Sequence, residues 1–186
     1  MAHVYLVRHG RAAAGWDSDP DPDLDRVGAA QAEAVADHLA PLGAERSLPI
    51  LTSPLRRCQE TAAPLARRWG VTPVVEASVA EIPSPEGVAM VDRVEWLRDA
   101  INRAWADLGD PYLSFRDEVV SFVRSCAQDT VVFTHLIAIN AALGACLGDD
   151  RVVIRRLDNT SVTVVEVEAG SLRLVTAGPE ADTVIR

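Results

Sequence analysis

The sequence is short of what several function classes need. Basic residues are outnumbered, 18 against 27 acidic, for a formal net charge of −9. A binder of nucleic acid or of an anionic membrane would have to hide a basic patch on an acidic body, so neither partner is expected. No apolar run approaches the roughly 18 residues that span a bilayer, and a strand-like run begins at Val4 with no charged leader and long apolar segment before it. Cysteine is scarce and odd in number: Cys58, Cys126 and Cys146 sit at apolar helical positions. They read as free core thiols in a reducing compartment, which makes the cytoplasm the expected location. No repeat and no linker divides the chain. What is there, 186 residues of which 48% are hydrophobic, suffices for one domain over 1–186 that buries a core without disulfides or metal.

The patterning alternates. Val4-Tyr5-Leu6-Val7 predicts a buried strand, and Asp25 to Leu42 predicts a helix with Val27, Ala30, Ala34, Val35, Leu39 and Leu42 on one face. Trp16 to Leu24 between them, with four aspartates and two Asp-Pro pairs, predicts a surface loop that caps the helix. Pro49 to Thr52 is a second strand. Ser53 and Pro54 then stand as N-cap and first residue of a helix bearing Leu55, Cys58, Ala62, Leu65 and Trp69 on one side. Thr72 to Glu76 predicts a third strand, and Val91, Val94, Leu97, Ile101, Ala104 and Leu108 predict one amphipathic helix ended by Gly109-Asp110-Pro111. A helix through Phe115 to Cys126, a strand at Thr130 to Thr134 and an almost wholly apolar helix at Leu136 to Leu147 follow. Val162 to Val167 and Leu172 to Val175, joined by Ala169-Gly170-Ser171, predict a hairpin. The fold class is α/β: a three-layer sandwich whose mostly parallel sheet ends in an antiparallel C-terminal edge hairpin.

Polar groups gather where strands end. Arg8-His9-Gly10 follows the first strand, Arg56 and Arg57 open the helix after the second, and His135 follows Thr134. In open parallel sheets ligands bind outside the carboxyl ends of strands, so these residues can share one site. Two histidines and two or three arginines beside helix N-termini suit a multiply charged anion, with phosphate the leading candidate. Guanidinium matches phosphate oxygens in pairs, and a neutral imidazole can attack phosphorus. Each residue taken alone has a plainer reading. His9 or His135 can be a hydrogen-bonded strand-end residue, Arg56 and Arg57 solvated helix residues, and Glu81 an exposed loop carboxylate.

Two motifs change the balance. Val4 through Gly10 resembles the signature of the histidine phosphatase superfamily, the phosphoglycerate mutase-like group, and Thr52-Ser53-Pro54-Leu55-Arg56-Arg57-Cys58-Gln59-Glu60-Thr61-Ala62 resembles its second motif. Leu24 to Gln31, Glu81 and Val132 to His135 fall where that family carries its helix-opening motif, its acid and its second histidine. The resemblance implies a phosphatase in which His9 is the nucleophile and forms a phosphohistidine. Arg8, Gly10, Arg57 and His135 would bind the phosphoryl oxygens, and Glu81 would be general acid and then general base. Arg57 is chosen over Arg56 because the family's arginine stands four residues after the serine, here Ser53. Glu86, before Gly87, is the alternative acid.

The resemblance also implies a small phosphate ester as partner and no cofactor. No metal is expected, since His3, His9, His38 and His135 lack zinc-site spacing and arginines supply the positive charge. Leu136 replaces a usual glycine after the second histidine and is expected to shape the substrate pocket. Asp25 stands where Thr or Ser commonly caps. Ala14 and Gly15 replace the Trp-Asn pair of mutases, and the chain is short for a mutase. Both favour phosphatase over the first alternative, a phosphomutase; the second, a catalytically silent phospholigand-binding domain, is disfavoured because every matched catalytic position holds a competent residue. Trp96, Trp105, Tyr112 and Phe115 lie in the segment expected to cover the site and read mostly as core.

Overall fold

In the computed structural model, which describes residues 1–15 and 19–181, the elements follow the alternation closely. They are β1 (Ala2–Arg8), α1 (Arg26–Leu39), β2 (Ile50–Thr52), α2 (Arg56–Trp69), β3 (Val74–Val75), α3 (Arg93–Ala100), α4 (Trp105–Leu108), α5 (Tyr112–Ser125), β4 (Thr130–Thr134), α6 (Leu136–Leu147), β5 (Val162–Glu168) and β6 (Ser171–Thr176). The strands form one sheet in the order β3-β2-β4-β1-β5-β6. The first four run parallel; β5 pairs antiparallel with β1, and β6 with β5. Ala169 and Gly170 turn the final hairpin with φ of 49° and 79°, the doubly left-handed geometry that matches strand twist.

Side chains alternate across the sheet and build two layers. Val7, Val131 and Phe133 pack under α1 and α2 with Val35, Leu39, Cys58 and Leu65. Val4, Leu6 and Val132 face the other way, onto Val123 of α5 and Ile139 and Leu143 of α6. The connection after β1 therefore leaves for one face and that after its neighbour β4 for the opposite face. Arg8 is level with Thr134 across this pair, so a crevice opens where both strands end.

Five local expectations are corrected. The buried face of α1 is Gly28, Ala32, Val35, Ala36 and Leu39, while Ala30 and Ala34 are exposed and Val27 and Leu42 are 43% and 38% exposed. Alanine on every side leaves the stripe ambiguous. Gly28 sets the rotation, because a Cβ there would collide with the Arg11 carbonyl oxygen. The helix expected over 91–108 breaks: Ala104 is extended and bridges to Arg151, with Trp105 N–H donating to the Asp150 carbonyl at 2.8 Å. Pairing with this distant segment overrides the periodicity and buries Trp105 to 1% exposure. The third strand shrinks to Val74 and Val75, both exposed at the sheet edge.

Ser53 is not the cap of α2. The helix begins at Arg56, whose N–H donates to Asp21 Oδ1 at 2.7 Å, so the acidic loop caps it from outside. Asp25 does cap α1, accepting from Gly28 N–H at 2.7 Å. Trp16, Asp17 and Ser18 of the expected loop lie outside the described residues.

Leu136, expected to shape the pocket, is 6% exposed and packs in the apolar layer with Val79, Ile139 and Leu157. Its bulk fills the core beneath the site. Leu136→Gly is therefore expected to lower stability by about 3–5 kcal/mol through the cavity it leaves. Urea unfolding would measure this, and a loss below about 1 kcal/mol would contradict the packing role.

Candidate active site

The three strand ends and the turn after β3 bring His9, Arg57, Glu81 and His135 into one cluster. His9 is 9% exposed, Arg57 3% and His135 0%, and the Glu81 side chain is 12% exposed. The two imidazoles meet edge-on with centroids 5.2 Å apart. Among them lies the Arg57 guanidinium. Its Nε donates to His9 Nε2 at 3.3 Å, and one terminal nitrogen is 3.3 Å from His135 Nδ1 and 3.5 Å from Glu81 Oε2. Glu81 Oε2 is also 3.3 Å from His135 Nδ1, and Glu81 Oε1 accepts from Ile82 N–H at 3.1 Å. Arg8 reaches the same cluster from the end of β1, held by an N–H donated to the Leu157 carbonyl at 2.5 Å. Its Nε is buried with no hydrogen-bond partner among the described residues. Glu86 stands exposed on the following loop, and Arg56 pairs with Asp23 at the surface.

The tautomer of His9 follows from its partners. His9 Nδ1 lies 2.7 Å from the Gly10 carbonyl oxygen, which can only accept, so the proton is on Nδ1. Burial, reinforced by the neighbouring His135 ring, which would repel a second imidazolium, and by the guanidinium charges of Arg57 and Arg8, holds the His9 pKa well below its ordinary value. A neutral ring with Nδ1 protonated leaves a lone pair on Nε2, facing Arg57. Gly10, expected to touch phosphate, instead orients the ring. Its own N–H donates to Thr61 Oγ1 at 3.0 Å, and a Cβ at Gly10 would lie 2.7 Å from the Gly28 carbonyl oxygen.

The segment 157–161, a polar stretch without periodicity, clasps the β1 end. Asn159 Nδ2 donates to the His9 carbonyl at 2.8 Å. Thr160, with φ of 56°, donates its N–H to the Arg8 carbonyl at 3.0 Å. Asn140, buried in α6, receives the N–H groups of Ile154 and Arg155 on one oxygen, fixing the approach to Leu157 and through it Arg8. Sequence patterning gives no sign of these supports. The Thr160 backbone, in a region a β-branched residue rarely visits, is the one structural mark of constraint there.

Burial also lowers the His135 pKa, against an opposing pull from Glu81. For Glu81 burial acts upward, but His135, Arg57 and the Ile82 N–H outweigh it and hold the carboxyl below its ordinary range. The resting cluster thus has two neutral imidazoles, a carboxylate and two guanidinium groups. Two histidines with lowered pKa bind fewer protons folded than unfolded once pH drops below about 6.5. Stability is then fully present above that pH and is lost as pH falls, by up to about 1.4 kcal/mol per unit for each ring. Urea unfolding at pH 7.5 and 5.5 would show this as a falling midpoint that flattens partly in His9→Ala. A midpoint insensitive to pH would contradict neutral burial.

His9, Glu81 and His135 also offer ligand atoms all within 4.8 Å of one another. Arg57 contacts the same three side chains, so its guanidinium charge stands beside that cluster.

Compared with known proteins, residues 4–178 match the family described as the histidine phosphatase superfamily (branch 1). The uncharacterized protein Rv0525 of Mycobacterium tuberculosis is 30% identical over 152 residues, covering 71% of this chain and 72% of its own. Among solved structures, YhfR of Bacillus stearothermophilus is 19% identical with a TM-score of 0.76, covering 97% of this chain and 98% of that one. The mycobacterial glucosyl-3-phosphoglycerate phosphatase Rv2419c, solved with VO3, is 22% identical with a TM-score of 0.71, over 97% of this chain and all of that one. Phosphoserine phosphatase of Entamoeba histolytica, in complex with 3-phosphoglyceric acid, is 20% identical with a TM-score of 0.71, over 96% and 98% of the two chains. At these identities the solved structures establish a shared fold.

Proposed function

The chain belongs to the histidine phosphatase superfamily (branch 1), and on that premise we propose that it is a metal-independent phosphomonoester hydrolase that works through a phosphohistidine on His9. The observation that carries this reading is the state of His9: Nδ1 tied to the Gly10 carbonyl, Nε2 unprotonated and accepting from Arg57, a donor that an arriving phosphoryl oxygen would take over. A phosphoryl group seated between His9 and Arg57 receives the lone pair of Nε2 at phosphorus. The P–N bond forms as the ester P–O bond breaks, and Arg8, Arg57 and His135 hold the equatorial oxygens.

The leaving alkoxide needs a proton, and Glu81 is the carboxyl beside it. Glu81 is ionised at rest, so its proton comes with the substrate. The arriving phosphate adds negative charge next to Glu81 and draws the donors of Arg57 and His135 onto its own oxygens, and both changes raise the carboxyl pKa. After the alcohol leaves, the Glu81 carboxylate takes a proton from water as its oxygen attacks phosphorus, the P–N bond breaks with its electron pair returning to His9 Nε2, and as inorganic phosphate departs Glu81 gives that proton up to solvent and is again the resting carboxylate. The leaving group is a small alcohol, the class that the phosphoserine and glucosyl-3-phosphoglycerate phosphatases of the same fold suggest.

Activity is expected to survive exhaustive chelation and to be inhibited by vanadate, because fixed cations accept a five-coordinate oxyanion without a metal. Phosphate release from a panel of phosphomonoesters, before and after chelator dialysis, is the assay. Activity lost on dialysis and restored by a divalent ion would refute the metal-free reading and revive a metal centre on His9, Glu81 and His135.

A further inference from the structure

His135 is neutral at rest and completely buried, so which of its nitrogens carries the proton decides what it can do for an anion. Nδ1 faces the reaction space, 3.3 Å from Glu81 Oε2, which can only accept, and 3.3 Å from the Arg57 guanidinium, which can only donate, so these two neighbours pull the tautomer in opposite directions and the partner of Nε2 decides it. Nε2 points away from it, 2.8 Å from Ser53 Oγ. Protonated on Nδ1, the ring donates to the Glu81 carboxylate at rest and can donate to a phosphoryl oxygen that displaces it. Protonated on Nε2, it turns a lone pair toward that carboxylate and toward any phosphate that arrives.

Ser53 is 0% exposed, and its contacts assign its proton. The Leu55 N–H lies 3.2 Å from Ser53 Oγ and can only donate, so it occupies a hydroxyl lone pair. The hydroxyl hydrogen needs an acceptor, and His135 Nε2 offers one at 2.8 Å. Were Nε2 protonated, both neighbours would donate to Ser53, and among the described residues its own hydrogen would be left only the weak sulfur acceptor of Cys58. The Cys58 thiol lies 3.4 Å from His135 Nε2 and 3.5 Å from the Thr134 carbonyl oxygen. Burial pushes its pKa far up, so it stays a weak S–H donor and does not compete with the hydroxyl.

We propose that Ser53 is a positioning residue that fixes His135 as the Nδ1–H tautomer and so makes a neutral imidazole a hydrogen-bond donor to the transferring phosphoryl group. The proposal rests on the reading of this cluster as a phosphoryl-transfer site. It also accounts for a serine in the Ser-Pro pair ahead of α2 that caps no helix. The arrangement follows the general rule that the partner of one imidazole nitrogen dictates the role of the other.

The test is a long-range proton–nitrogen correlation spectrum of protein labelled with 15N-histidine near neutral pH, with the His135 signals identified by their absence in His135→Gln. The wild type is expected to show His135 protonated on Nδ1 and bare on Nε2. Ser53→Ala is expected to move population to Nε2–H and to lower kcat/KM and vanadate affinity by about 10–100-fold, while Ser53→Thr, which keeps a hydroxyl, restores the tautomer and most of the affinity. A wild-type His135 that is protonated on Nε2, or on both nitrogens, would overturn the proposal even if Ser53→Ala fails to fold. A folded Ser53→Ala that keeps Nδ1–H and wild-type vanadate affinity would overturn it as well. The spectrum needs no substrate, so the tautomer result for Ser53 is separate from the functional reading, which falls if the wild type releases no phosphate from any ester.

Discussion

His9→Ala is expected to leave a folded protein whose turnover of every phosphate ester is lower by roughly 10⁴–10⁶-fold, the scale seen when a covalent nucleophile is removed. The fold should survive because the ring belongs to neither apolar layer, while the backbone ties at this position persist: His9 N–H to the Thr134 carbonyl at 3.0 Å and Asn159 to the His9 carbonyl at 2.8 Å. The variant also loses a buried imidazole that costs stability in acid. Measuring kcat/KM beside a thermal melt separates the two effects. A folded His9→Ala that keeps more than about one part in 10³ of the activity would mean that another group or a water attacks phosphorus.

Glu81→Gln carries the second largest expectation, and it depends on the leaving group. Positioned proton transfer is typically worth about 10²–10⁴-fold, and an alkoxide needs it where a nitrophenolate does not. Phosphorylation of His9, followed as the pre-steady-state burst of alcohol or phenol, should slow by that factor with alkyl phosphates and by less than about 10-fold with nitrophenyl phosphate. The burst is the right observable because the same carboxylate later activates water, so turnover would slow with both substrates. Glutamine keeps the size of the side chain and can still accept from Ile82 N–H, which limits structural damage. Equal slowing of both bursts, or of neither, would remove Glu81 from the acid role. Glu86, exposed on the next loop, would then need a loop movement to take its place.

The parts of this site that are legible in the sequence are those joined covalently to a strand end. Arg8-His9-Gly10 follows β1 and His135 follows β4, so strand patterning places them once the sheet is parallel. Arg57 and Glu81 are different. Nothing in spacing or charge distinguishes Arg57 from Arg56, and only the family resemblance selects it; the packed structure supplies the reason, turning Arg57 inward onto both histidines and Arg56 outward onto Asp23. Ser53 misleads because Ser-Pro before an amphipathic run is the usual signal of a cap. Its hydroxyl has a stronger acceptor in His135, and Asp21 from another loop takes over the helix end. Leu136 misleads because a residue next to a catalytic one in sequence can point into the opposite layer, as the first residue of α6 does here. The clasp at 157–161 and the break between α3 and α4 leave no local trace, since both arise from pairing between segments far apart in the chain.

Rapid quenching of the wild-type protein with a 32P-labelled phosphomonoester would trap a covalent bond between His9 Nε2 and phosphorus. The expected result is up to one phosphoryl group per chain, stable in base and labile in acid, on the peptide that contains His9 and absent from His9→Ala. An acid-stable label, a label on another residue, or burst-free turnover with no labelled protein at any time would contradict it.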